Sequence, residues 1–279
     1  MSDVDEPPGE EPVGADRTGT RRFGPVEDEG LSYGQYLRIP ELLGLQRLLS
    51  QPSAHDELLF IVVHQAYELW FRATLFEIET IRELLFAHRP EPARHLLERV
   101  HAIEHLLIQQ IPVLETMSPQ DFLEFRSNLS PASGFQSVQF REIEFLSGLK
   151  TAGFLRHVTD EQEQARLRRR LEEPTLWEAF CDYLESEGLP MPPGEPEHRA
   201  ASLVAMARDR EKYAEPWYVS EGLLTHDELF SMWRYRHILM VERQIGSKTG
   251  TGGSSGASYL RTTLDKRFFP ELWALRSDL

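Results

Sequence analysis

DELLFIVVHQAYELWFRATLFEIETIRELLFA, residues 56–87, decides the fold class. Leu58, Phe60, Ile61, Tyr67, Trp70, Phe71, Leu75, Ile78 and Ile81 recur three and four residues apart. That spacing follows the turn of an amphipathic helix, not the alternation of a strand. Asp56 and Glu57 stand where the helix dipole favours carboxylates, and Pro90 stops the element. His64 falls on the same apolar side, four residues after Phe60.

Working outward, ARHLLERVHAIEHLLIQQI, residues 93–111, predicts a second helix. SPQDFLEFRSNL, opened by Ser118 as N-cap, predicts a short third one, and FQSVQFREIEFLSGL, 135–149, a fourth. Further helices are expected near 160–172, 174–187, 197–213 and 225–245, with the Pro-rich LPMPPGEPEH, 189–198, as a loop between two of them. Strand alternation with hairpin turns is nearly absent. The expectation is an all-α protein, its long antiparallel helices packed as a bundle in one domain over residues 30–279. Residues 1–29 are acidic, rich in Pro and Gly and poor in apolar side chains, and are expected to be a disordered tail.

Bulk properties narrow the function classes. A formal net charge of −15 over 279 residues argues against general nucleic-acid or anionic-membrane binding. No run of apolar residues reaches membrane-spanning length, and no secretory h-region opens the chain. Cys181 is the single cysteine, so no disulfide framework exists within the chain and a cytoplasmic setting is expected. A lone cysteine usually fills core, and the same is expected of Cys181.

Two histidines lie inside strongly periodic helices: His64, and His237 in WRYRHILMVERQI. Either is a core histidine satisfied by one hydrogen bond, or both face a shared cavity, where a neutral imidazole is the usual ligand of haem iron. Glu98 and His101 have the spacing of a di-iron helix, but the second Glu-x-x-His match, Glu195 and His198, falls in the Pro-rich loop; a solvated face is expected there. In SPASGFQSVQF, 130–140, Ser133 and Gly134 precede a helix start, whose free N–H groups suit an anion. Arg126 reads either as a surface ion pair or as a bidentate grip on a carboxylate. GSKTGTGGSSG, 246–256, matches no phosphate-loop pattern. It is a flexible linker or a mobile lid, with Thr251 able to bond a ligand.

Four strings, LSYGQYL (31–37), HDELLFIVVHQAYELWF (55–71), FRSNLSPASGFQSVQFR (125–141) and WRYRHILMVERQIGSKTGTGGSSG (233–256), together resemble the tryptophan 2,3-dioxygenase family in order and spacing. The resemblance runs from about residue 31 to the last residue. It implies an all-α homotetramer with one haem b per subunit and O₂ as co-substrate. It implies insertion of both oxygen atoms across the indole C2–C3 bond of L-tryptophan, giving N-formyl-L-kynurenine, the first step of the kynurenine route. His237 would be the axial iron ligand and His64 the distal catalytic histidine, orienting the indole N–H. Phe60 and Phe122 would pack on the indole; Arg126, Ser133, Gly134 and Thr251 would hold the amino acid's polar end. The 246–256 loop would close as a lid. Tyr33, Tyr36 and Leu37 would enter a neighbouring subunit's pocket. Phe122 and Phe140 lack a hydroxyl that some members carry, and Ala132 stands where some have serine. The alternative is a paralogue oxygenating a modified tryptophan, or inserting one atom to give an oxindole.

Overall fold

The computed structural model describes residues 31–251 and 256–279. The tail expected over 1–29 lies outside the described residues, as do 252–255 of the glycine-rich loop. The chain is 72% helical, with no strand among the described residues, as the spacing predicts.

The chain divides into two units, one ending at Leu45 and one running from Gln46 to Leu279. In the first, α1 (Tyr33–Tyr36) is opened by a capping box: Ser32 Oγ accepts from Gln35 N, and Gln35 Oε1 accepts from Ser32 N. Arg38, in the left-handed region at φ 52°, turns the chain into α2 (Ile39–Leu43). No residue of either helix is buried.

The second unit holds α3 (Glu57–Phe86), α4 (Pro90–Glu115), α5 (Pro119–Arg126), α6 (Val138–Ser147), α7 (Glu161–Glu172), α8 (Leu176–Ser186), α9 (Pro196–Arg208), α10 (Ala214–Ile245), α11 (Ala257–Arg261) and α12 (Pro270–Asp278). Three long helices dominate, and α4 packs along both α3 and α10. Leu75, Ile78, Ile81 and Leu85 of α3, Leu97, Val100, Leu107 and Ile111 of α4, and Val219 and Leu223 of α10 are buried. Each contributes about 1.5–3 kcal/mol of transfer free energy.

Two helices run past their expected limits. α10 begins eleven residues before Thr225 and contains Pro216; in the first turn a proline gives up only an N–H that has no partner inside the helix. α4 continues through Pro112 to Glu115, because Ile111 and Leu114 on either side are buried and hold the last turn in place. α6 starts later than its apolar pattern: Gly134–Gln136 forms a 3₁₀ turn, and Ser137 then caps α6 by accepting from Phe140 N at 3.2 Å.

Gly222 sets how closely α4 and α10 approach, since a Cβ there would lie 2.9 Å from Leu97 Cδ1. The closeness lets His101 Nε2–H donate to the Gly222 carbonyl at 2.9 Å. His101 is therefore half-buried at a helix crossing rather than on a solvated face, a correction that no spacing rule on α4 alone reveals. Deeper in, His226 bridges Glu104 (Nδ1 to Oε1, 2.6 Å) and Ser147 (Nε2 to Oγ, 2.9 Å), all three side chains being buried. Burial raises the Glu104 carboxyl, opposed by His226.

Burial pulls His101 down to about 4, from an ordinary value of 6.5. Between those values the unfolded chain takes up a proton that the folded chain refuses, so stability rises with pH across the window. Acidifying from pH 6.5 to 4 is expected to remove on the order of 2 kcal/mol through this group. Urea midpoints taken along that range should flatten in His101→Gln; an unchanged slope in the variant would assign the acid sensitivity elsewhere.

Candidate functional site

The site is built where α3, α5, α6 and α10 converge. α3 presents His64, Tyr67, Glu68 and Phe71, at helical spacings, to a cavity of about 300 Å³. α10 presents Trp233, Arg234, His237 and Val241 to the same cavity. The two histidines singled out from their helix patterns thus share one space.

His64 Nδ1 lies 2.7 Å from the Phe60 carbonyl oxygen. A carbonyl only accepts, so Nδ1 carries the proton and Nε2 is left as an acceptor. Burial pulls the His64 pKa down, partly offset by the Phe60 carbonyl and Glu68, so the ring is neutral at pH 7. His237 lies parallel to Trp233, with centroids 5.1 Å apart and planes 10° apart. Burial, with a smaller effect of His64, pulls it down to about 4. No described residue takes a hydrogen bond from its ring. A neutral imidazole held by stacking, its nitrogens uncommitted, on a cavity wall is a fitting donor for haem iron. No group of three or more His, Cys, Asp and Glu residues suited to hold a metal ion exists among the described residues, so Glu98 and His101 assemble no di-iron centre.

Phe122, Arg126, Ser133, Gly134 and Thr251 all line the cavity. Phe60 stands one layer out, packed on His64 at 4.0 Å and on Phe122 at 5.7 Å between centroids. Phe125, buried behind both, completes this aromatic wall. Ser133 Oγ accepts from Phe135 N and so opens the turn at Gly134. Tyr33, Tyr36 and Leu37 belong to the first unit and are 77%, 73% and 42% exposed.

The described part of the glycine-rich loop is docked. Arg126 Nη2 donates to the Thr249 carbonyl, and Thr251 Oγ donates to the Ala132 carbonyl at 2.7 Å. Gly256, at φ 65°, ends the loop; a Cβ there would meet the Lys248 carbonyl oxygen at 2.6 Å. Gly256→Ala therefore incurs both a left-handed backbone and a backbone clash, on the order of 1–3 kcal/mol confined to the loop. The expected result is a KM raised several-fold with a melting temperature near wild type. An unchanged KM would separate the loop's docking from ligand binding.

Sequence reasoning missed Trp233, Arg141, Glu144 and Arg234. Trp233 was readable as four residues before His237 on the same face. The charged three were readable only as charges on otherwise apolar stripes.

An all-helical chain that directs two neutral imidazoles, an arginine and a hydroxyl-bearing loop at one aromatic-walled cavity has the build of an enzyme for a small amphipathic molecule bearing an anionic group. The family model for tryptophan 2,3-dioxygenase matches residues 18–191 and 195–279. A tryptophan 2,3-dioxygenase of Nocardioides sp. is 56% identical over 256 residues, covering 89% of this chain and 95% of the relative. Those of Herpetosiphon aurantiacus and Myxococcus xanthus are 46% and 41% identical, covering 90% and 89% of this chain and 99% and 89% of theirs. The chain belongs to the tryptophan 2,3-dioxygenase family, whose members are haem-dependent oxidoreductases using O₂. No helix among the described residues is long and apolar enough to cross a membrane.

Proposed function

We propose that this chain inserts both atoms of O₂ across the indole C2–C3 bond of L-tryptophan, giving N-formyl-L-kynurenine, with haem b held through His237. The observation that carries the reading is the convergence of His64 and His237, from two long helices, on one cavity that also takes Arg126 and Thr251. Bound there, haem would supply the O₂ activation that a closed-shell indole cannot achieve with triplet O₂.

The protein's own groups do the positioning. Arg126 exchanges the Thr249 carbonyl for the substrate carboxylate, a charge-assisted bond stronger than the one it replaces. Thr251, on the same loop, meets the amino acid's polar end, close to Ser133 and Gly134. Phe122, backed by Phe60, packs the indole ring. His64 Nε2 accepts from the indole N–H, because Nδ1–H is committed to the Phe60 carbonyl. Its depressed pKa makes it a weak base, so it orients the ring rather than removing the proton. Holding both ends fixes the C2–C3 edge and lowers the entropic part of the barrier, while the docked loop keeps water out.

The exposed aromatics of α1 support a homotetramer in which Tyr33, Tyr36 and Leu37 complete a neighbouring copy's pocket, since large apolar side chains at that exposure favour burial in an assembly.

Ferrous, haem-loaded protein mixed with L-tryptophan and ¹⁸O₂ tests the reaction. N-formylkynurenine carrying two labelled atoms is the expected product by mass. One labelled atom in an oxindole would overturn the dioxygenase reading in favour of a monooxygenase.

A further inference from the structure

Besides Arg126, two arginines reach the cavity wall, and neither is needed to hold the amino acid. Arg141 on α6 and Arg234 on α10 are 8% and 3% exposed. One carboxylate stands between them. Arg141 Nη1 donates to Glu144 Oε2 at 2.6 Å, and Arg234 Nη2 donates to Glu144 Oε1 at 2.9 Å. Arg234 Nη1 donates to the Lys266 carbonyl at 3.1 Å. Asp227 is the next acid, but its Oδ2 already accepts from Phe268 N, Phe269 N and Trp273 Nε1. Both guanidinium groups thus share Glu144, while the buried Asp227 carboxylate, which also acts on Arg234, is committed to three N–H donors of its own.

The bonding of the two guanidinium groups is nonetheless incomplete. Nε of Arg141 and Nε of Arg234 are buried without a partner among the described residues. Aromatic faces surround the guanidinium groups: Arg141 lies 3.8 Å from the Phe154 centroid and 4.8 Å from that of Phe135, and Arg234 lies 4.9 Å from that of Phe230. Such faces stabilise a cation partially and leave its N–H groups unsatisfied. Burial also pulls the Arg234 pKa down, with Glu144 and Asp227 opposing and Arg141 adding to the fall. Two desolvated guanidinium groups on a cavity wall, each with an unpartnered buried N–H, are a seat for another anion. Among the cavity's occupants, the amino acid has one carboxylate, matched to Arg126, whereas haem brings two of its own.

We infer that Arg141 and Arg234, braced by Glu144, form the seat for a carboxylate of the bound haem. The inference rests on the proposed haem site and adds the residues that anchor its polar edge.

Soret titration of apoprotein with haem b and with haem dimethyl ester, whose carboxylates are both masked, tests it without any substitution. The ester is expected to bind roughly ten- to a hundredfold more weakly, the loss of one or more charge-assisted bonds. Equal binding of acid and ester to the wild-type chain would overturn the inference. Arg141→Gln and Arg234→Gln should bind haem b more weakly and lose most of the preference for the acid over the ester. A preference that persists undiminished in both variants would come from the ester's bulk, and would equally overturn it. Failure of the wild-type chain to bind haem b at all would instead overturn the haem site itself, an outcome distinct from weak binding of the ester alone.

Discussion

His237→Ala is expected to purify without haem and without a Soret band, and its turnover of L-tryptophan should fall to background. The ring stands stacked on Trp233 with no competing partner among the described residues, so on the proposed reading its removal takes away the iron donor and leaves a ring-sized gap. That gap costs roughly 2–4 kcal/mol of stability as well, so loss of haem alone would not separate ligation from unfolding. Added imidazole does: it fits the gap, supplies the missing nitrogen, and should restore a Soret band in a folded chain. A variant that retains haem with the wild-type spectrum would move the axial ligand elsewhere, with His64 the next choice on the same cavity wall.

Arg126→Ala should lower kcat/KM for L-tryptophan by about 2–5 kcal/mol, or roughly 30- to 5,000-fold, the usual range for truncating one partner of a buried charge pair. The contact with the Thr249 carbonyl holds the side chain near the loop. Tryptamine, which lacks the carboxylate, provides the internal control: wild type and variant should differ little on it. Lys in place of Arg should recover only part of the loss, because it keeps the charge and gives up the fork geometry. Near-normal kcat/KM on L-tryptophan would sink the assignment of this residue.

The helical class and the three long elements were legible because apolar spacing repeats without interruption through α3, and less cleanly through α4 and α10. Helix limits were not. Pro216 falls in the first turn, where a missing N–H matters little, whereas Pro112 forgoes a bond in the last turn, which buried Ile111 and Leu114 hold helical all the same. His64 and His237 were legible as histidines on apolar stripes, and the family strings supplied their roles. The contrast is His101, on a face that reads as solvated: what covers it is the bare backbone at Gly222, 121 residues away, which no pattern on α4 announces. Arg141, Glu144 and Arg234 were hidden for a related reason. A charge inside an amphipathic pattern is ordinarily a solvated one, and only tertiary packing shows that these three share one buried volume.

α4 contributes little to the cavity wall besides Leu114, yet α3 and α10, which carry the two imidazoles, both lie against it. It acts as a ruler between them. Leu107 and Ile111 are buried in that packing and do not line the cavity. Trimming or thickening that ruler by one methylene offers an engineer a vernier adjustment of the active gap, with every chemically active residue left in place.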